Sequence, residues 1–226
     1  MNDLKCFKGV IFDMDGLLVD SERFSKHLYR EIFNDLNVHF DNNIFKNVLG
    51  LSRQAESQYL EELFGSATKV EQFYDLYSKK LYDSYKESKI PLKQGAEQLL
   101  FWLKEKEIPF ALATSSPLGA VKLAFCNRNI SLSDFTSVIT ADDITKSKPD
   151  PQIFLKAADK IHCSIEDCVI LEDSYNGIMA AIASGGIPML VIDLYNPDEE
   201  VTKKVKYIKN NLSEVLNLLQ ETYATN

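Results

Sequence analysis

Five short apolar runs, each stopping at polar or acidic residues, limit what this chain can fold into. Residues 7–12 stop at Asp13, 109–113 at Thr114, 137–140 at Ala141-Asp142-Asp143, 168–171 at Glu172-Asp173, and 188–192 at Asp193. A run that is apolar at nearly every position has no face for water, which is the pattern of a strand buried on both sides of a sheet. Helical patterning fills the intervals at 96–106, 118–128, 151–160 and 176–184. Strand alternating with helix predicts an α/β fold with a mostly parallel sheet covered on both faces. A chain of 226 residues with 45% apolar content can bury one large core and a smaller second one.

The alternation breaks between Leu17 and Ile90. No buried strand is legible there, but Phe24, Leu28, Ile32 and Leu36 recur at helical spacing. The predicted organisation is therefore a core of residues 1–16 and 91–226, with 17–90 as a helical insertion after the first strand. Ser21 followed by Glu22 is a candidate start for its first helix, since serine accepts orphan amide hydrogens and a carboxylate favours the positive helix end. Tyr74, Tyr77, Tyr82 and Tyr85 are expected to pack a small helical bundle rather than to stack a ligand. The tail from Thr202 reads as a last strand or turn and a closing amphipathic helix carrying Leu212, Val215 and Leu218.

A formal charge of −8 argues against nucleic acid polymers and anionic membrane surfaces as partners. It leaves a small phosphorylated metabolite open, because a few local cations or a metal can dominate a site. Cys6, Cys126, Cys163 and Cys168 form no C-x-x-C pair, so a thiolate metal site is not expected, and Cys168 reads as a core residue. No stretch reaches membrane-spanning length. These features predict a cytoplasmic protein, a monomer or weak dimer. His39 and His162 lack partner spacing and read as structural or exposed.

Four clusters fall where predicted strands end, the edge at which open parallel sheets bind ligands. Asp13-Met14-Asp15-Gly16 sets two carboxylates in one tight turn, where they repel unless a cation or hydrogen bonds intervene; a solvated glycine turn is the alternative. Thr114-Ser115-Ser116 precedes a helix and offers hydroxyls and amides to an anion, or else a plain helix cap. Lys148 lies beside Pro149-Asp150-Pro151, a stiff segment that would present its ammonium group, though most loop lysines are simply solvated. Glu172 and Asp173 are hard oxygen ligands suited to magnesium, with helix capping by Asp173 as the alternative.

Together these residues resemble the haloacid dehalogenase superfamily, and within it the phosphatases and phosphoglucomutases with a helical cap after the first strand. Residues 12–22, Thr114, Lys148 and Glu172-Asp173 match its four motifs in order, and 171–177 with Ala180-Ala181 and Gly185 match the last in detail. The resemblance implies a Rossmann-like doubly wound core in which residues 17–90 form the cap. It implies Asp13 as nucleophile and Asp15 as general acid and base. Mg2+ would be held by Asp13, Asp173, the Asp15 carbonyl and Glu172, while Thr114, Ser115 and Lys148 would bind the transferring phosphate.

Asp15 favours phosphate esters over carbon–halogen bonds, because expelling an alkoxide needs an acid. Ser52 and Arg53, in Gly50-Leu51-Ser52-Arg53, resemble a cap segment that reaches toward a second phosphate in β-phosphoglucomutase-like proteins, a task suited to a guanidinium. Those mutases carry a histidine twelve residues after the nucleophile, where this chain has Ser25; His27 points elsewhere on a helix. The reading is a magnesium-dependent phosphatase acting through an aspartyl-phosphate. A sugar-phosphate mutase is the alternative. A non-catalytic binding protein is disfavoured because Asp13, Asp15, Lys148 and Asp173 are all present.

Overall fold

Val10, Ile11 and Phe12 have no exposed surface, and the side chains alternate between two apolar layers. Val10 and Phe12 face one cluster while Ile11 faces the other, as the two-residue period of a strand requires. This is β1 (Gly9–Phe12) in a computed structural model that describes residues 4, 7–48, 53–87, 89–126 and 128–224. The other strands are β2 (Phe110–Ala113), β3 (Ser137–Ile139), β4 (Cys168–Glu172), β5 (Ile187–Val191) and β6 (Tyr207–Lys209). All neighbours pair in parallel in the order β3-β2-β1-β4-β5-β6. The central strands β1, β2 and β4 are wholly buried, whereas β3 and β6 at the edges are partly exposed.

Helices α5 (Ala96–Glu105), α6 (Leu118–Ala124) and α10 (Leu212–Ala224) cover one face of the sheet, and α7 (Gln152–Lys160) and α8 (Tyr175–Ser184) the other. The result is the predicted doubly wound α/β sheet, with its order reversing between β1 and β4. Ligands bind such sheets at the carboxyl ends of the strands flanking the reversal. Asp13 follows β1 at that edge, and Glu172 ends β4.

Four helices lie between β1 and α5: α1 (Ser21–Asp35), α2 (Asn42–Val48), α3 (Arg53–Phe64) and α4 (Ala67–Lys86). They enclose their own apolar cluster, which includes Tyr29, Phe33, Phe45, Phe64 and Phe73. Tyr29 meets Phe73 edge-on at 4.8 Å between ring centroids, the arrangement that aromatic quadrupoles favour. Tyr74 and Tyr77 pack against this cluster, but Tyr85 belongs to the main core and Tyr82 is 49% exposed. Leu17, Leu18 and Val19 also bury in the main core, held by a turn in which the amides of Leu18 and Val19 donate to the Met14 carbonyl. The chain crosses between the helices and the sheet twice. The crossings pair with each other through Asp20 N to Pro91 O and Lys93 N to Leu18 O.

Several local expectations are corrected. Ser21 does not cap α1; Asp20 occupies the cap position without a side-chain bond, and the Ser21 hydroxyl is used elsewhere. Nor does Asp173 cap α8, since Ser174 accepts the Gly177 amide there. Helix α6 ends at Ala124, short of the predicted 128. A short helix, α9 (Glu199–Lys204), precedes β6, opened by the Asp198 side chain accepting from Val201 N and closed by two lysines. Cys168 is buried as expected, while His39 and His162 are exposed. Among the described residues no helix is long and apolar enough to cross a membrane.

Candidate active site

The site is built on four chain segments that the sheet order brings together. Asp13 is 7% exposed, and its amide donates to the Leu171 carbonyl, which locks the end of β1 to β4. Lys148 reaches in from the loop before α7. Its Nζ donates to Asp13 Oδ1 at 2.5 Å, Glu172 Oε1 at 2.6 Å and the Ala113 carbonyl at 3.1 Å. An ammonium group has three hydrogens, so all are engaged and its position is fixed. The other Glu172 oxygen accepts from Asp173 N, Ser174 N and Ser174 Oγ. Two glycines make room: a Cβ on Gly177 would sit 1.9 Å from the Glu172 carboxyl carbon, and one on Gly16, where φ is +78°, would sit 2.0 Å from Asp173 Oδ2.

Charge in this cluster is unbalanced. Asp13, Glu172 and Asp173 are all buried, with one oxygen of each within 4.8 Å of the others, and Lys148 is the cation among them. Burial pushes the Asp13 carboxyl up to about 8; Lys148 opposes the shift, and Glu172 and Asp15 add to it. Asp173 is raised too, by burial first and then by Glu172 and Asp13. For Lys148, burial works against the charge, but Asp13 and Glu172 outweigh it and raise its pKa. Three carboxylates against one ammonium, all with hard oxygen donors, fit a divalent cation such as Mg2+.

Asp15 faces a different set of partners. Its Oδ1 accepts from Ser21 Oγ at 2.7 Å, and its Oδ2 from Ser116 Oγ at 2.7 Å and Thr114 Oγ1 at 3.5 Å. Its side chain is therefore held by hydroxyls, while still near enough to the acidic cluster to raise the pKa of Asp13. Thr114 is fully buried and also accepts Ser116 N through its hydroxyl. The two carboxylates that the tight turn threatened to set against each other have separate surroundings.

Asp13, Asp15, Thr114, Ser115, Lys148 and Asp173 line one cavity of about 360 Å3. Arg53 does not: its guanidinium lies over the Tyr74 ring and borders another hollow between α3 and α4. Ser52, with Gly50 and Leu51, lies outside the described residues. Ser25 shares a 2.7 Å hydrogen bond with Tyr77, and His27 pairs with Glu31 on the surface. Sequence reading missed Glu22, Tyr175, Asn176 and Tyr195, which complete the cavity wall. Glu22, Tyr175 and Asn176 lie within the motif segments 12–22 and 171–177 without having been given a role in the site, but Tyr195 has no local signal at all. Burial, then Asp193 and Asp15, push the Glu22 carboxyl up to about 7.

A doubly wound sheet with this acidic cavity at its reversal point defines an α/β enzyme able to combine a carboxylate nucleophile with a hard metal ion. Comparison with known proteins narrows the class. Residues 10–192 match the model of the haloacid dehalogenase-like hydrolases. A β-phosphoglucomutase of Bacillus subtilis is 31% identical over 201 residues, 83% of this chain and 88% of that protein. A phosphorylated carbohydrates phosphatase of Thermotoga maritima is 26% identical over 95% of this chain and 99% of its own length. The crystal structure of a putative β-phosphoglucomutase from Thermotoga maritima superimposes with a TM-score of 0.80 at 25% identity, covering 95% of this chain and 99% of the other. This chain belongs to the haloacid dehalogenase-like hydrolase family.

Proposed function

We propose that this protein is a magnesium-dependent phosphatase that hydrolyses a small phosphorylated metabolite through an aspartyl-phosphate on Asp13. The observation that carries the reading is the buried Asp13–Lys148–Glu172–Asp173 cluster, with hydroxyl-held Asp15 beside it in the same cavity. Asp13 Oδ attacks phosphorus, and the bond to the leaving oxygen breaks as the new one forms. Asp15, close to the cavity and oriented by Ser21 and Ser116, gives a proton to the leaving alcohol and then takes one from the water that hydrolyses the intermediate. Lys148 holds Asp13 and lends positive charge to the phosphoryl oxygens, while Thr114 and Ser115 supply hydroxyls and amides to them. Asp13 and Asp173, with Glu172 behind them, are the residues that would hold Mg2+, which when bound offsets the repulsion between carboxylate and phosphate.

The 31% identity to a β-phosphoglucomutase supports one second reading, a sugar-phosphate mutase. Hydrolysis is favoured because the cavity wall among the described residues holds no histidine and Arg53 borders a different hollow. Purified protein should release phosphate from p-nitrophenyl phosphate with Mg2+ and lose that activity in excess chelator. Full activity in chelator would remove the metal from the mechanism. The hydrolase reading fails if β-glucose 1-phosphate with a trace of glucose 1,6-bisphosphate becomes glucose 6-phosphate far faster than any ester releases phosphate.

A further inference from the structure

The wall of the catalytic cavity is chemically lopsided. Among the described residues lining it, Lys148 is the one cation, and its three hydrogens are already given to Asp13, Glu172 and the Ala113 carbonyl. Against it stand four carboxylates: Asp13, Asp15, Glu22 and Asp173. Asp13 and Asp173 belong with the metal, and Asp15 is held by hydroxyls. Glu22, on the first turn of α1, has none of these roles, and one of its oxygens lies within 4.8 Å of oxygens of Asp173 and Asp193. The nearby cations of the chain crossing, Lys93 and Arg23, are ion-paired to Asp193 at 2.6 and 2.9 Å.

The remaining wall is neutral. Tyr175 and Tyr195 meet edge to face at 6.0 Å, and Asn176 and Ser174 add hydrogen-bonding groups beside them. Aromatic rings of this kind pair an apolar face with a polar handle, and amide, hydroxyl and carboxylate groups match the donors and acceptors of alcohols. Among the described residues, no lining group is suited to neutralise a second anion on the substrate.

Resting on the phosphatase reading, we infer that the leaving group is uncharged and polyhydroxylated, a polyol or sugar, and that Glu22 is the residue that rejects phosphate esters bearing a second anionic group. A carboxylate or second phosphate next to Glu22 would find no free positive partner there among the described residues and, wherever Glu22 is ionised, would meet like charge in a partly buried site, where such repulsion is several times stronger than in water. A hydroxyl in the same position can instead donate to Glu22.

The test uses pairs of esters that differ by one terminal carboxylate: sorbitol 6-phosphate against 6-phosphogluconate, and glycerol 3-phosphate against 3-phosphoglycerate. The alcohol of each pair should be preferred in kcat/KM by about tenfold or more. Glu22→Gln, nearly isosteric, should shrink that preference several-fold, chiefly through a lower KM for the acids. Tyr175→Ala, at a position 40% exposed and so safe for folding, should raise KM for the alcohols. Equal or faster turnover of the acids by the wild type, or an unchanged ratio in folded Glu22→Gln, would overturn the inference and leave the phosphatase reading standing. Absence of Mg2+-dependent phosphate release from every ester, p-nitrophenyl phosphate included, would overturn both.

Discussion

Replacing Gly177 by alanine separates local propensity from tertiary geometry, because the two predict opposite signs. Gly177 lies in the first turn of α8, and alanine in a helix is favoured over glycine by up to about 1 kcal/mol. Its added Cβ would lie 1.9 Å from the Glu172 carboxyl carbon and 2.0 and 2.1 Å from the two oxygens. Ordinary contact needs at least about 3.4 Å, so the carboxylate must move by more than about 1 Å. It then gives up the 2.6 Å contact to Lys148 and some of the bonds from Asp173 N, Ser174 N and Ser174 Oγ. Each charged hydrogen bond contributes roughly 1.5–3 kcal/mol, so losing two costs about 3–6 kcal/mol and leaves a net destabilisation of roughly 2–5 kcal/mol. For a chain of this size that lowers Tm by about 4–20 °C. Because Lys148 also holds Asp13, turnover of p-nitrophenyl phosphate should fall at least about tenfold even in folded protein. Gly119→Ala in α6, where nothing lies within 4 Å of the new Cβ, is the control and should stay within about 1 kcal/mol of wild type. A Gly177→Ala protein that melts at or above the wild-type temperature with wild-type kcat would refute the reasoning.

Asp13→Asn should fold normally and lose essentially all turnover, since the amide keeps the shape of the carboxylate but not its nucleophilicity or charge; wild-type rates in folded, uncontaminated Asp13→Asn would show the assignment wrong. In chelator, stability should fall as pH rises from about 5 to about 8. The folded pKa of Asp13, about 8, lies above its ordinary 3.8, so the native state binds the extra proton in that window and its advantage is lost as pH climbs through the folded value. If Mg2+ is the ion held, as proposed, it would bind the deprotonated cluster, so the Tm increment it gives should grow over the same range; an increment flat with pH in thermal melts would count against an unbalanced acidic cluster. Ser116→Ala should lower kcat more than it raises KM, because it removes the short bond to Asp15 Oδ2, leaving there the 3.5 Å contact from Thr114, without touching Asp13; pre-steady-state phosphate release that is unchanged would mean Asp15 is positioned by other groups.

Much of the core was legible in the chain alone. Apolar runs without a polar face can only be buried strands, and the polar residues that end them must emerge at one edge of a parallel sheet, so Asp13, Thr114 and Glu172-Asp173 were bound to share that edge. The helices between Ser21 and Lys86 likewise followed from a period that no strand could satisfy. Which strand ends become neighbours was a tertiary decision. The order β3-β2-β1-β4-β5-β6 sets β1 beside β4, and that brings Asp13 within reach of Glu172 and Asp173, far away in sequence. Local rules gave the Ser21 hydroxyl to a helix cap, but Ser21 falls one residue inside α1 and its hydroxyl donates to Asp15 Oδ1 instead. Gly177 looked like part of a motif, and only the packed structure shows its missing side chain as the space that Glu172 fills. Arg53 and Tyr195 exchanged their expected standing for the same reason. A helix face and a loop after β5 are positioned by packing across the whole molecule, so the arginine borders another hollow while the tyrosine, with nothing nearby in the chain to mark it, closes the catalytic cavity.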